Sequence, residues 1–234
     1  FTTKGELSED QQADPPYGTN LTYPAEEYVR MHQTSGTTGR PKGIKLEITG
    51  EPLGTPRSDA DIMGKVFGID ENAIYLSPAP LYHSAPLRFN MGVLKKGGTT
   101  VVMERFDPEG ALALIERHSV THSQWVPTMF SRMLKLDEEA RQGFDLSTHK
   151  VAIHAAAPCP AGVKHQMFDW WGPILYEYYG GTEVNGITHC GPEEWLAHPG
   201  TVGKPILGIV HVCDDDGCEV VAGEPGLIYF ELPE

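Results

Sequence analysis

From residue 73 to about 180, short apolar runs alternate with longer amphipathic stretches. Runs at 73–77, 99–103, 121–126, 150–155 and 174–178 have strand length and turn residues at their borders, so each predicts a buried strand. Between them the apolar spacing changes to that of a helix. A helix is expected up to Leu94, and Gly97-Gly98 then turns the chain into the next strand. Asp107-Pro108-Glu109 supplies a cap, a proline at the first helical position and an early acid, ahead of an apolar face of Ala111, Leu112, Leu114 and Ile115. After Val126-Pro127-Thr128 a helix carries Met129, Phe130, Met133 and Leu134. Pro160 opens another that stops at Gly172-Pro173. This alternation predicts an α/β fold with a mostly parallel sheet covered by helices.

The flanks read differently. Residues 1–27 are polar and rich in Pro and Gly, which predicts an arm or loop; 28–33 predict a strand. Residues 44–48 alternate like a strand and 50–57 are broken by Pro and Gly. Ser58-Asp59-Ala60-Asp61 resembles a capping box opening a short helix that ends near Gly68. Residues 206–213 and 218–222 are expected to pair around an Asp-rich turn, with 226–231 as a third strand. The expected organisation is an arm (1–27), an α/β core (28–199) and the start of a small antiparallel β subdomain (200–234).

Composition narrows the function classes. A net charge of −14 over 234 residues disfavours a nucleic-acid or anionic-membrane binder. No apolar run reaches the length of a membrane span and no signal peptide is visible at Phe1. Four cysteines are too few for a disulfide scaffold, and the pair at Cys213 and Cys218 lacks a second pair to complete a zinc site. Reduced thiols and a cytoplasmic location are the expectation.

Local chemistry concentrates in four segments. Residues 34–43, Thr-Ser-Gly-Thr-Thr-Gly-Arg-Pro-Lys-Gly, combine hydroxyls, glycines and two cations. Glycines allow φ > 0 and close approach, successive N–H groups form an anion site, and Lys42 adds a full charge, which suits a polyphosphate. Tyr179-Gly180-Gly181-Thr182-Glu183 couples an aromatic face, a hydroxyl and a carboxylate. A carboxylate facing polyphosphate needs a cation between them, so Glu183 suggests Mg²⁺. His154-Ala155-Ala156-Ala157-Pro158 leaves backbone open to a flat ligand, and Pro80-Leu81-Tyr82-His83 presents a histidine. Such ligand-binding segments sit beyond the carboxyl ends of strands in an α/β sheet. Taken singly, each segment also reads as an ordinary turn.

The string at 34–43 resembles the phosphate-loop signature of the adenylate-forming superfamily, which includes acyl-CoA synthetases, aryl-CoA ligases, adenylation domains and luciferases. Residues 179–183 resemble its Y-G-x-T-E motif. Gly200-Thr201-Val202-Gly203-Lys204-Pro205 and Gly223-Glu224-Pro225-Gly226 match further landmarks. The resemblance covers residues 28–234 but only the middle of the family's length; the family's ribose-binding Asp, hinge and C-terminal lid domain fall past the last residue. The Pro/Gly-rich stretch at 50–57 departs from the family pattern.

The resemblance implies ATP-dependent activation of a small-molecule carboxylic acid to acyl-AMP, with coenzyme A as acceptor and ATP and Mg²⁺ as cofactors. It implies that Thr34, Ser35, Gly36, Thr37, Thr38, Gly39 and Lys42 hold phosphates. It places Ala156, Ala157, Pro158, Tyr179, Gly180, Gly181 and Thr182 around the nucleotide, with Tyr179 stacked on adenine. Glu183 would hold the metal. His83 would lie near the activated carboxylate, with Trp125, Val126 and Ala155 lining the acid pocket. Lys42, His83, Thr182 and Glu183 would carry the chemistry. A fatty-acid or aryl ligase fits the motif spacing best. A nucleotide-binding module without turnover, or an adenylation domain with another thiol acceptor, are the alternatives.

Overall fold

The computed structural model describes residues 31–33, 43–45 and 64–232. The chain divides into two compact units, Phe1–Leu53 and Gly54–Glu234. In the first, strands β1 (Met31–Gln33) and β2 (Gly43–Lys45) pair antiparallel, with Gln33 opposite Gly43. Residues 34–42, and with them most of the expected phosphate loop, lie outside the described residues, as do the arm and the capping box at 58–61.

The second unit is built on a seven-stranded sheet of order β4-β3-β5-β6-β7-β8-β9. Its strands are β3 (Ile74–Ser77), β4 (Thr99–Val102), β5 (His122–Trp125), β6 (Val151–His154), β7 (Leu175–Gly180), β8 (Ile187–Cys190) and β9 (Lys204–Leu207). The first five run parallel; β8 and β9 are antiparallel additions at one edge. The expected α/β sheet is therefore present.

Helices cover both faces. Helix α1 (Ser84–Lys95) and the helical turn at 64–67 pack Phe67, Ile69, Phe89 and Val93 against Tyr75 and Ile153. On the opposite face lie α2 (Pro108–His118), α3 (Pro127–Met133), α5 (Ala161–Trp171) and α6 (Pro192–Ala197), which bury Leu112, Ile115, Phe130, Met167 and Trp195. Helix α4 (Glu138–Gln142) is short and buries none of its residues. Helix α2 starts where its sequence dictates: the Asp107 carboxylate accepts the Gly110 N–H at 2.7 Å, and Pro108 opens the first turn. Across the α1 face, Tyr75 donates to Gln124 at 3.3 Å and Gln124 donates to Tyr178 at 3.1 Å. This chain ties β3, β5 and β7 together.

Two expectations about the C-terminal strands are corrected. Residues 206–213 do not form one strand. Gly208, at φ +78°, breaks the run, so 204–207 joins the main sheet as β9 and Ile209–Cys213 becomes β10. Residues 218–222 contribute a single bridge, Cys213 to Glu219, behind a tight turn in which Asp214 N–H donates to the Cys218 carbonyl at 2.9 Å. The main partner of β10 is β11 (Leu227–Glu231), paired antiparallel over five positions from Ile209↔Glu231 to Cys213↔Leu227. The first correction has a local cause: Gly208, with positive φ, redirects an apolar run without changing its composition.

Two stability predictions follow from this packing. Gly203 has φ +81°, and a methyl group there would run into the His189 carbonyl of the neighbouring strand. Gly203→Ala should lower unfolding free energy by roughly 2–4 kcal/mol in denaturant titration, since both strain and backbone collision oppose it. His149 and His154 are sealed from solvent, and burial pushes each imidazole down to about 3. The unfolded chain therefore takes up these protons first. The stability of the neutral forms is intact above pH about 6.5 and is lost as pH falls toward 3, by about 2 kcal/mol per histidine at pH 5. Melting temperature should fall between pH 7.5 and 5, and His154→Gln should flatten that slope relative to its own value at pH 7.5.

Candidate functional site

Parallel strands β3, β5, β6 and β7 are neighbours, so their carboxyl ends leave the sheet along one edge. Three of the four chemistry-bearing segments are carried there: 80–86 after β3, 155–160 after β6, and 179–183 at the end of β7. Residues 126–128 follow β5 at the same edge.

His83 is exposed at the start of α1, with φ −81° and ψ 144°; its carbonyl accepts the Leu87 N–H at 3.2 Å. The ring of Tyr82 lies 4.4 Å from its own. One turn further along α1, Arg88 donates through Nη2 to the Thr182 carbonyl at 3.2 Å. The helix that begins at His83 is thereby tied to the Tyr179–Glu183 segment. Sequence reading missed Arg88, although its position on the helix that leads out of 80–86 is a usable signal.

The end of β7 is shaped by close backbone packing. A side chain at Gly180 would come 3.0 Å from the Gly186 carbonyl, and one at Gly186 would collide with the Phe230 ring. Val184, at φ 59°, donates its N–H to the Gly181 carbonyl at 3.2 Å and turns the chain back toward β8. Tyr179 is 44 % exposed and stacks on Phe230 of β11, with centroids 6.2 Å apart and planes 25° apart. Phe230 is thus a site neighbour that sequence reading did not identify. Glu183 is exposed and Thr182 half-buried.

At the end of β6, Ala155 is buried and its N–H donates to the Trp125 carbonyl at 3.4 Å, while Ala156, Ala157 and Pro158 are exposed. Ala156 has φ 77°, a conformation rare for a residue with a Cβ, and so the turn bends sharply at the sheet edge. Trp125 is 1 % exposed and packs against Phe106, Phe130 and Trp171; Val126 is half-buried above it. The structure thus sets Trp125 in the core, with its indole donating to Ser123 Oγ at 2.5 Å.

Beneath this edge lies a charged cluster. Lys164 of α5 and Glu177 of β7 form a buried ion pair at 2.6 Å, and His154 Nε2 lies 3.5 Å from the same carboxylate oxygen. Sequence signal for this pair existed. Position 164 falls on the stripe of α5 that buries Met167 and Phe168, and Glu177 alternates with buried Leu175. Burial pushes the nearby Cys159 and Cys190 thiols up to about 11, so neither is a thiolate at neutral pH.

Fit to a nucleotide and a metal can be tested on these residues. Exposed backbone at 156–158 and the half-exposed Tyr179 ring suit a flat base. No group of three or more metal-ligating side chains occurs among the described residues. A single exposed carboxylate such as Glu183 suits Mg²⁺, which takes one or two carboxylates and fills its shell with phosphate oxygens and water. None of the helices among the described residues is long and apolar enough to cross a membrane.

The chain matches the model of the AMP-binding enzyme family over residues 3–233. A relative from Mycobacterium tuberculosis, the 3-[(3aS,4S,7aS)-7a-methyl-1,5-dioxo-octahydro-1H-inden-4-yl]propanoyl:CoA ligase, is 34% identical over 86% of this chain and 39% of its own length. Pyochelin synthase PchD of Pseudomonas aeruginosa is 31% identical over 90% of this chain and 40% of its own. Among solved structures, o-succinylbenzoate coenzyme A synthetase of Bacillus subtilis in complex with ATP and magnesium aligns with a TM-score of 0.69 and 26% identity, over 85% of this chain and 40% of that one. The chain spans about two fifths of the length of the curated relatives it matches. With the mostly parallel sheet and the order of its motifs, these similarities show that the chain belongs to the AMP-binding enzyme family, within the adenylate-forming superfamily.

Proposed function

We propose that the intact protein is an acyl-CoA ligase that activates a carboxylic acid with ATP and transfers the acyl group to coenzyme A. The observation that carries this reading is the convergence of 80–86, 155–160 and 179–183 on one sheet edge, with Arg88 joining the first of them to the last. CoA ligases among the relatives support it.

In this reading the acid carboxylate attacks the α-phosphorus of ATP, the bond to the bridging oxygen breaks, and pyrophosphate leaves. Residues 34–39 and Lys42 hold the departing phosphates, and Thr182 donates to the α-phosphate. Tyr179, Ala156, Ala157, Pro158, Gly180 and Gly181 seat the base and sugar side of the nucleotide. His83 orients the acid carboxylate, with Val126 and Ala155 shaping the pocket behind it. Mg²⁺ held by Glu183 would offset charge on the phosphates. The protein's part is positioning and electrostatic complementarity, and no covalent enzyme intermediate is required. Coenzyme A thiol then displaces AMP from the acyl carbonyl.

A second reading is an adenylate-forming unit that serves a different acceptor. It draws on pyochelin synthase PchD, a relative whose name is not that of a CoA ligase.

Carboxylate-dependent ATP–pyrophosphate exchange, run on the intact protein with a panel of aliphatic and aromatic acids, tests the first half-reaction. Lys42→Ala and Glu183→Ala should each lower the exchange rate by about 100-fold or more. Wild-type rates in both variants would overturn the assignment. Arg88→Met should cost a charge-assisted hydrogen bond and lower exchange by roughly 10-fold, with melting temperature little changed. Release of AMP and formation of a thioester only when coenzyme A is supplied separates the ligase from the second reading.

A further inference from the structure

Lys164 sits in the first turn of α5 with no solvent exposure. That is a poor place for a cation. The helix N-terminus carries partial positive charge, and burial disfavours the ammonium. Glu177 and Trp195 are what hold it: Nζ donates to Glu177 Oε2 at 2.6 Å and lies 4.6 Å from the Trp195 ring centroid. The carboxylate is also nearly sealed, with 8 % side-chain exposure. His154 stands opposite Glu177 in the parallel register of β6 and β7. Its ring is buried against Phe130, with neither nitrogen hydrogen-bonded, and Nε2 faces the shared carboxylate oxygen at 3.5 Å.

A buried ion pair is a weak stabiliser. Well-packed apolar side chains of similar volume commonly do as well or better, whereas removal of one partner strands the other's charge. What this pair does supply is a fixed short distance between two particular points of the chain, with a third, His154, packed beside them. His154 is the last residue of β6, from which the 155–160 turn departs. Lys164 lies four residues past Pro160, where that turn enters α5. Glu177 lies two residues before Tyr179 on the strand that ends in the Gly180–Glu183 segment. Both side chains of this pair are buried, unlike those of the surface pairs Lys204–Glu194 and His211–Glu219.

We propose that the Lys164–Glu177 pair, with His154 packed beside it, is a positioning device for the nucleotide site. It sets the spacing between the 155–160 turn and the Tyr179–Glu183 strand end. This rests on the reading above, in which both segments hold the nucleotide. None of the three side chains touches the reacting atoms. Their effect is exerted through the backbone that each anchors, where a displacement of about 1 Å can change rate by 100-fold.

The experiment uses the intact protein and two variants. Lys164→Met/Glu177→Leu removes both charges, and Glu177→Asp keeps both but shortens the link by one methylene. Measured are melting temperature, affinity for a non-hydrolysable ATP analogue by calorimetry, and the KM of the acid against kcat in pyrophosphate exchange. The paired apolar variant should melt within a few degrees of wild type, bind the ATP analogue about 10-fold more weakly, and lose about 10-fold in kcat. Its KM for the acid should change by less than the ATP affinity, because His83 and Val126 on the acid side lie outside the two positioned segments and only Ala155 is shared with them. Glu177→Asp should shift ATP affinity in the same direction by about threefold.

A folded paired variant with wild-type ATP affinity overturns the proposal, as does an equal loss in the ATP and acid parameters. If the paired variant does not fold, Glu177→Asp decides: folded, with unchanged ATP affinity, it overturns the proposal. Wild-type protein that binds the analogue but exchanges pyrophosphate with no acid would sink the ligase reading, while the affinities still report on the pair. Active exchange with unaltered affinities in the variants does the reverse. Wild-type protein that fails to bind the analogue overturns both.

Discussion

The second unit depends on one constraint: its central strands are covered on both faces and must satisfy every backbone group within the sheet. Strands β5 and β6 lie between helices on either side, and all four residues of β5 are buried. Runs of this kind satisfy their hydrogen bonds in a parallel ladder with helical crossovers. That arrangement sends β3, β5, β6 and β7 in the same direction, and so their carboxyl ends share an edge. Segments more than 90 residues apart in sequence become neighbours for this reason, as the Arg88–Thr182 hydrogen bond shows.

Polar groups inside this frame are placed with economy. The Tyr75–Gln124–Tyr178 chain satisfies three polar side chains on one face of the sheet, and burial pushes the Tyr178 hydroxyl up to about 12, so it remains a neutral partner. On the other face, Ser123 meets His149 at 2.6 Å while the Trp125 indole donates to the same hydroxyl oxygen. His149 and His154 gain no charge at neutral pH, because burial disfavours the imidazolium. The Lys164–Glu177 pair differs in kind from these neutral contacts, and it lies directly under the two segments that frame the site.

The small antiparallel sheet of β10 and β11 meets the end of β7 through the Phe230 ring. Phe230 packs on Tyr179 and over Gly186, where the absence of a side chain makes room for it. At the surface of this sheet, His211 is held between Glu219 and Glu231, at 2.5 and 2.9 Å, and those two carboxylates raise its proton affinity. Contacts of this sort join residues that no local pattern connects. Phe230 reads in the sequence as one more apolar residue of a strand.

The sequence by itself determined the α/β class, the starts of α2 and α5, and the segments that carry polar chemistry. Apolar run length, proline and capping residues are local properties, and Asp107, Pro108 and Pro160 act within a turn of where they stand. Family membership was equally legible, because motifs of unusual composition occur in a fixed order. Tertiary structure alone decided the rest. It split the apolar run at Gly208 between two sheets, buried Trp125, and brought Arg88 to Thr182 and Lys164 to Glu177. The physical reason is that partner choice for a strand or a charge depends on free energy summed over distant contacts. Periodicity reports which face of an element is buried and is silent about what buries it.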